Sequence, residues 1–351
     1  MATRVVATAP VRVADVGGWT DTWFGSPGRV CNLAVGPGVS VEAALVERRS
    51  SARSVRLVLP QYGQDYTYDP GGHVTPGRHP LVEQAVSSIL GSAPLTPEAA
   101  LELTVTSAVP AGASLGTSAA VVVAALGALD DLLAGGSRSL GELAALAHRV
   151  ETIRCGRQAG VQDQWAAAMG DCGLLDVDPY PEVHHQSVPL SSETAVELAA
   201  RLVTVVFGAH DSSAVHARVI DDLSVGDRFE GERARGALRR LTTLASDAAD
   251  ALEAGDVDGW AGVLMASTEA QAVLHPGLVG EAHAAAIEVA RHHGATGWKV
   301  NGAGGDGGSL TTVAPDCASA VLLADALAAA DPAWQLVGLT PAGGLTVSGI
   351  V

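Results

Sequence analysis

The segment Pro110-Ala-Gly-Ala-Ser-Leu-Gly-Thr-Ser-Ala-Ala120 constrains this chain more than any other. It follows an alternating run, Ala100 to Ser107, that reads as a strand, turns through small residues and opens a long apolar helix from Ser118 to Leu133. A chain that leaves a strand in this way offers the backbone N–H groups of the first helical turn, and the positive end of the helix dipole, to whatever sits in the turn. Small residues let a phosphate come close to the backbone. A plain strand-to-helix turn with Ser or Thr as the N-cap fits the same residues, so the turn alone leaves both readings open.

The rest of the pattern sets the frame around that turn. Thr3 to Thr8, Val39 to Glu47 and Val55 to Leu59 are rich in β-branched residues and read as strands, His79 to Leu90 has helical spacing, and Leu140 to Arg154 reads as a further helix. Strands come before helices instead of alternating with them, so the expected class is α+β. With 351 residues, 48% of them apolar, two domains are expected at about 100–200 residues each. The stretch from Asp176 to Ser192 carries three prolines and is the best junction, which predicts one domain over residues 1–185 and a second over 186–351. Beyond it, Leu202 to Gly208, Leu310 to Ala314 and Leu345 to Ile350 read as strands, and Arg228 to Glu253 and Val279 to His293 as Ala-rich helices.

Charge and cysteine usage exclude several classes. A formal charge of −17 with no basic stripe opposes nucleic acid and anionic membrane surfaces as partners, yet permits ATP, which arrives with its own magnesium. Cys31, Cys155, Cys172 and Cys317 lack CxxC spacing, which argues against a zinc site or a disulfide framework. The N-terminal segment has no continuous apolar stretch, and no segment approaches the roughly 18 unbroken apolar residues of a membrane span, so a cytoplasmic protein is expected.

Three further segments carry chemistry. Ala9 to Thr22 places Arg12 on a strand, then Gly17, Gly18, Trp19 and Thr20 ahead of Asp21. A carboxylate beside glycines and an indole suits a polyol, accepting hydrogen bonds from neighbouring hydroxyls while the indole covers an apolar ring face; a tight turn in which Asp21 caps its own backbone is the plain alternative. Between Glu151 and Gln164, a Gly-containing turn presents Asp163 at the start of another helix, where it suits a general base, and Glu151 is close enough in sequence to be a magnesium ligand. Both acids fit a helix terminus or a solvated face equally well. Finally, Lys299-Val-Asn-Gly-Ala-Gly-Gly-Asp-Gly-Gly-Ser309 holds Gly302, Gly304 and Gly305 in a loop opened by the only lysine of the chain. Such glycine density is tolerated mainly where backbone must approach a ligand or a neighbouring element. With no lysine following Gly116, neither a P-loop ATPase nor a protein kinase is encoded, and a nucleotide must be held by backbone amides, hydroxyls and a metal.

Taken in this order, the four segments resemble the GHMP kinases along the whole chain. The family's phosphate loop, Pro-x3-Gly-Leu-Gly-Ser-Ser-Ala, is similar to Pro110 to Ala119, with Ser114 and Thr117 as the departures; Asp163-Gln164 and Gly302 to Gly308 match its later motifs. The Gly17 to Thr22 string resembles the sugar 1-kinase branch of fucokinase, glucuronokinase and heptose 7-phosphate kinase, although Trp23-Phe24 stands where the first two carry prolines. The resemblance implies an α+β N-terminal domain with a left-handed crossover and a ferredoxin-like C-terminal domain, with ATP and substrate meeting between them. It implies that Pro110, Gly112, Ala113, Ser114, Leu115, Gly116, Thr117, Ser118 and Ala119 bind ATP and that Ser118 and Glu151 hold Mg2+. Asp163 would take the proton of the acceptor hydroxyl and Arg12 would steady that hydroxyl and the transferring phosphoryl. Asp21 and its neighbours, with His210, Ser212, Lys299 and the late glycines, would face the substrate. The expected reaction is phosphorylation of a sugar or sugar phosphate, most simply at the anomeric hydroxyl; a non-catalytic sugar and ATP sensor, and a homoserine- or mevalonate-type kinase, are the alternatives.

Overall fold

Valine and alanine dominate Arg4–Val16, and from Ala9 onward both faces of this segment are buried, so it forms a central strand, β1. The structure is a computed structural model that describes residues 4–47, 54–70, 78–209, 212–225 and 228–350. After β1 come β2 (Gly28–Glu47), β3 (Val55–Leu59), β4 (Gln64–Tyr68), α1 (Pro80–Leu90), β5 (Ala99–Ser107), α2 (Thr117–Ala134), α3 (Leu140–Arg149), α4 (Gln162–Met169), β6 (Cys172–Val177) and β7 (Val183–Val188). The chain continues through α5 (Ser192–Arg201), β8 (Leu202–Gly208), α6 (Ser212–Val225), α7 (Arg228–Glu253), α8 (Val257–Leu274), α9 (Glu281–His292), β9 (Gly297–Val300) and β10 (Gly308–Val313). It ends with α10 (Cys317–Ala330), β11 (Gln335–Val337), β12 (Thr340–Pro341) and β13 (Thr346–Ile350).

The first sheet has the order β13-β1-β2-β5-β3-β4, extended by β12 and by the β6–β7 hairpin on β2. The length of β2 explains this breadth: Gly28–Leu33 pairs with β6, and Val39–Glu47 pairs with β5. Pairing is antiparallel except between β3 and β5, and that pair needs the crossover that carries α1. The second sheet, β11-β8-β10-β9, is fully antiparallel and has the split β-α-β order of a ferredoxin-like unit. The α+β architecture read from the sequence is therefore the one that forms.

Two features differ from the sequence reading. The proline-rich stretch expected to join two domains folds instead as the β6–β7 hairpin on the first sheet, so a division at 185/186 falls inside β7. The last strands also return to the first sheet, β13 alongside β1 and β12 alongside β2. One large core accordingly runs from β1, β2 and α2 into α7 and α8, while a smaller one lies under the second sheet against α9 and α10. Helices α8 and α10 were not legible because apolar residues occur all round them, leaving no polar face to set a period. Helix α2 is the described helix long and apolar enough to cross a membrane, and most of it is buried in the larger core.

Candidate active site

The phosphate-loop segment turns sharply into α2. Gly112 and Gly116 both have φ of 72°, and Ser114 between them has φ of 57°. The N-cap of α2 is Gly116, with no side-chain capping hydrogen bond, so the Ser/Thr-capped turn left open by the sequence is not what is built. The first-turn N–H groups stay oriented into the loop, as an anion requires. A Cβ on Gly116 would stand 3.3 Å from Asp163 Cγ and 3.5 Å from Arg12 Cγ, so this glycine brings the loop against both side chains.

Arg12, buried on β1, ties the assembly together. Its backbone N–H donates to Leu115 O at 2.9 Å, its Nε donates to Asp163 Oδ1 at 2.9 Å and its Nη1 donates to Ser114 O. Burial works against its charge, but Asp163, Asp15 and Asp21 outweigh that effect and leave the guanidinium above its ordinary pKa. Asp163 sits in the first turn of α4 with 29% of its side chain exposed, open enough to meet a ligand. Glu151 stands in the π turn Val150–Arg154 that ends α3. Its Oε1 accepts from Ser118 Oγ at 3.2 Å and its Oε2 from Gln164 Nε2 at 2.7 Å, and burial, with the charge of Asp163, holds its carboxyl above the usual range. Ser118 Oγ and the Glu151 carboxylate are thus side by side, hard oxygens of the kind that could hold a magnesium ion. Among the described residues no three His, Cys, Asp or Glu side chains form a cage.

Asp21 is buried beside the same cleft. Its Oδ2 accepts from Gln162 N at 3.0 Å, and a Cβ on Gly160 would overlap that oxygen at 2.0 Å, so Gly160 lets the loop before α4 close over the carboxylate. Burial chiefly, with the charges of Asp163 and Asp15, raises the Asp21 carboxyl to about 6. Trp19, at φ of 81°, lines the cleft with its ring edge-on to His216 at 5.0 Å between centroids.

A cleft of about 640 Å³ unites these parts: Arg12, Trp19, Asp21, Pro110 to Ser118, Glu151, Asp163 and Gly302 all line it. Other expected residues stand behind it. Ala119 is buried in the core, and Thr20 donates to Gly17 O and Arg29 O, holding the turn. A Cβ on Gly17 would meet Arg29 O at 2.1 Å, and one on Gly18 would meet Asp15 Oδ2 at 2.6 Å, so the first glycine admits a neighbouring carbonyl and the second a buried carboxylate. Gly304 abuts Leu278 O and Gly305 abuts Val215 in the same manner. Lys299 does not reach the cleft lining: its ammonium is buried and donates to Gln271 Oε1 at 2.8 Å and to Val300 O, and burial pulls it below its ordinary pKa, against Asp15. His210 lies outside the described residues, as does the side chain of Ser212. Conversely, the cleft extends to Leu59, Tyr62, His79, Val82 and Val105, which the sequence reading missed. They come from β3, the turn after it, α1 and β5, are mostly apolar, and carry no spacing signal because only the sheet order brings them together.

A helix N-terminus without a side-chain cap, a carboxylate–arginine pair against it and an α+β frame are parts that suit a small-molecule phosphotransferase. Residues 81–171 match the family described as GHMP kinases N terminal domain. A mevalonate kinase of Methanothermobacter thermautotrophicus is 31% identical over 234 residues, covering 64% of this chain and 68% of that protein. The chain belongs to the GHMP kinase family, whose members use ATP as a substrate. The fold is similar to that of a D-glycero-D-manno-heptose 1-phosphate kinase from Bacteroides thetaiotaomicron, with a TM-score of 0.77 at 21% identity over 99% of both chains. It is also similar to Lactococcus lactis galactokinase complexed with galactose, with a TM-score of 0.77 at 17% identity over 98% of this chain and 95% of that one.

Proposed function

We propose that this kinase transfers the γ-phosphoryl group of ATP to a hydroxyl of a neutral sugar, at the anomeric position. The observation that carries this reading is the convergence of Asp163, Arg12 and Gly116 at the start of α2, with the Asp21 carboxylate on the same cleft. In it, the apolar end of the cleft at Leu59, Tyr62, Val82 and Val105 takes the adenine, and the loop from Pro110 to Thr117 takes the phosphates on its backbone amides. Ser118 and Glu151 would hold magnesium, which neutralises phosphate charge when bound. Asp163 Oδ accepts the proton of the attacking hydroxyl, and Arg12, already bonded to Asp163, holds that carboxylate in place and faces the transferring group.

The acceptor class follows from charge. Asp21 is a buried acceptor of hydrogen bonds at the acceptor end, and of the arginines on the cleft lining Arg12 is engaged with Asp163 while Arg157 lies 3.8 Å from Glu151. A carboxylate-bearing acceptor such as mevalonate would meet like charge at Asp21, whereas ring hydroxyls would be bonded by it. Retention of both Asp163 and Glu151 favours an enzyme over a non-catalytic sensor of sugar and ATP. The test is ADP release with ATP and magnesium across neutral aldoses, sugar phosphates and mevalonate, with the product position read by phosphorus NMR. Turnover of a neutral sugar to a 1-phosphate supports the reading; turnover of mevalonate alone overturns the acceptor, and absence of ADP release with every acceptor overturns the enzyme.

A further inference from the structure

Asp15 closes β1 and is wholly buried, yet nothing in its sequence context marks it as functional. Its Oδ1 accepts the N–H of Gly302 at 2.9 Å and lies 3.9 Å from Arg12 Nη1, while its Oδ2 has no hydrogen-bond partner among the described residues. Retaining a buried carboxylate with one oxygen unpaired is costly, so a site that keeps one invites an explanation other than packing. The neighbouring Ala14 N–H donates to Asn301 Oδ1 at 3.0 Å, and Asn301 Nδ2 is bonded in turn to Ser309 and Thr311. Two successive residues of β1 therefore grip the glycine-rich loop that the second sheet delivers.

The grip meets a second one at Gly302. The Gly302 carbonyl accepts from Gln271 Nε2 at 3.2 Å, and Gln271 Oε1 accepts from Lys299 Nζ at 2.8 Å, so the N–H and the C=O of this residue are held from two elements. A Cβ on Gly302 would stand 3.0 Å from Arg12 Nη2 and 3.1 Å from Ser114 O. Gly302 is thus wedged against the guanidinium that faces Asp163 and the phosphate loop.

We propose that Asp15 is a positioning residue for phosphoryl transfer: it holds Gly302 against Arg12 and supplies the counter-charge that keeps the guanidinium between Ser114 and Asp163. This rests on the reading of Arg12 as the group that faces the γ-phosphoryl. The same geometry gives the sole lysine, through Gln271, the opposite hold on the loop.

Calorimetric titration of the full chain with AMP-PNP and with ADP, both with magnesium, tests the proposal without needing the acceptor. Asp15→Ala should weaken AMP-PNP about tenfold, the order of a lost hydrogen bond to a charged group, and leave ADP within about twofold. Asp15→Asn, which still offers an oxygen to Gly302 N–H but no charge, should fall between wild type and Asp15→Ala for AMP-PNP. Equal weakening of both nucleotides in the Asp15 variants would mean a merely structural role and overturn the inference, as would wild-type affinities for both. If Asp15→Ala fails to fold, Asp15→Asn decides by the same selectivity. Arg12→Lys separates the two levels: no selective loss of AMP-PNP there sinks the reading of Arg12, whereas a selective loss there with wild-type behaviour in both Asp15 variants sinks the Asp15 inference alone.

Discussion

The chemistry proposed for this kinase concentrates on two acids held in different surroundings. Asp163 is partly exposed and paired with Arg12, so Asp163→Asn should leave ATP affinity nearly intact while turnover falls by about 10²–10⁴, the usual range for a general base. Comparison of nucleotide titration with steady-state rates checks this, and parallel loss of both would transfer Asp163 to the metal. Asp21 is buried, and its carboxyl is raised from 3.8 to about 6. Between those values the folded protein keeps a proton that the unfolded chain gives up, so folding is progressively disfavoured as pH rises through the window. The penalty is complete above about 6, absent below about 4, and amounts to about 3 kcal/mol. Asp21→Asn should therefore unfold at higher urea than wild type at pH 7.5 and at a similar concentration near pH 4, while losing sugar phosphorylation. Wild-type kcat/KM should rise with pH through about 6 as the carboxylate ionises. A variant no more stable at pH 7.5 would show that the buried charge costs nothing, and unchanged sugar kinetics would leave Asp21 as a turn residue.

At the level of the element, the start of α2 combines a left-handed glycine with two packed neighbours. Gly116→Ala imposes a side chain at φ of 72° and sets a methyl 3.3 Å from Asp163. The backbone strain is about 1 kcal/mol, but displacement of the loop by a fraction of an ångström should lower kcat/KM for ATP by about 10-fold, less than the roughly 10²-fold of a full 1 Å misplacement. Near-normal thermal stability with that kinetic loss is the expected pair of results; loss of fold would point to strain alone. The π turn that follows α3 is the other element on which the proposed metal site rests, because it aims Glu151 at Ser118. Glu151→Gln and Ser118→Ala should each raise the magnesium concentration needed for half-maximal rate, measured by titration at fixed ATP. Unchanged magnesium dependence in both would remove the two side chains from the metal. The further turn could not be read from sequence, where Leu140 to Arg154 has one helical period; only the wider hydrogen-bond step at Val150–Arg154 distinguishes it.

Across the whole molecule, the first strand is held by the last. Removal of residues 339–351 would strip β12 and β13 from the first sheet and bare the edge of β1, on which Arg12 and Asp15 sit. Such a truncation should lose cooperative thermal unfolding and nucleotide binding together, and a truncated chain that still binds AMP-PNP would show that β1 is positioned without its edge partner. The main residues that the cleft brings together were legible locally because each depends on short-range chemistry: small residues at a helix start, an acid at the next helix start, an acid among glycines. Strands such as Ala99–Ser107 and helices such as Thr117–Ala134 were legible for the same reason, their periods being intrinsic to the segment. Which glycines line the cleft and which merely admit a carbonyl was not, since Gly116 and Gly17 look alike until the fold sets Asp163 against one and the Arg29 carbonyl against the other. Lys299, the only lysine of the chain, pointed locally to a ligand and yet does not line the cleft, because its ammonium is turned onto Gln271. Asp15 gave no local signal and lies under Arg12. A residue's type and near neighbours are written in the chain, whereas which side of a wall it occupies depends on strand register and sheet order, contacts between segments that range from 28 residues apart for Lys299 and Gln271 to 287 for Asp15 and Gly302.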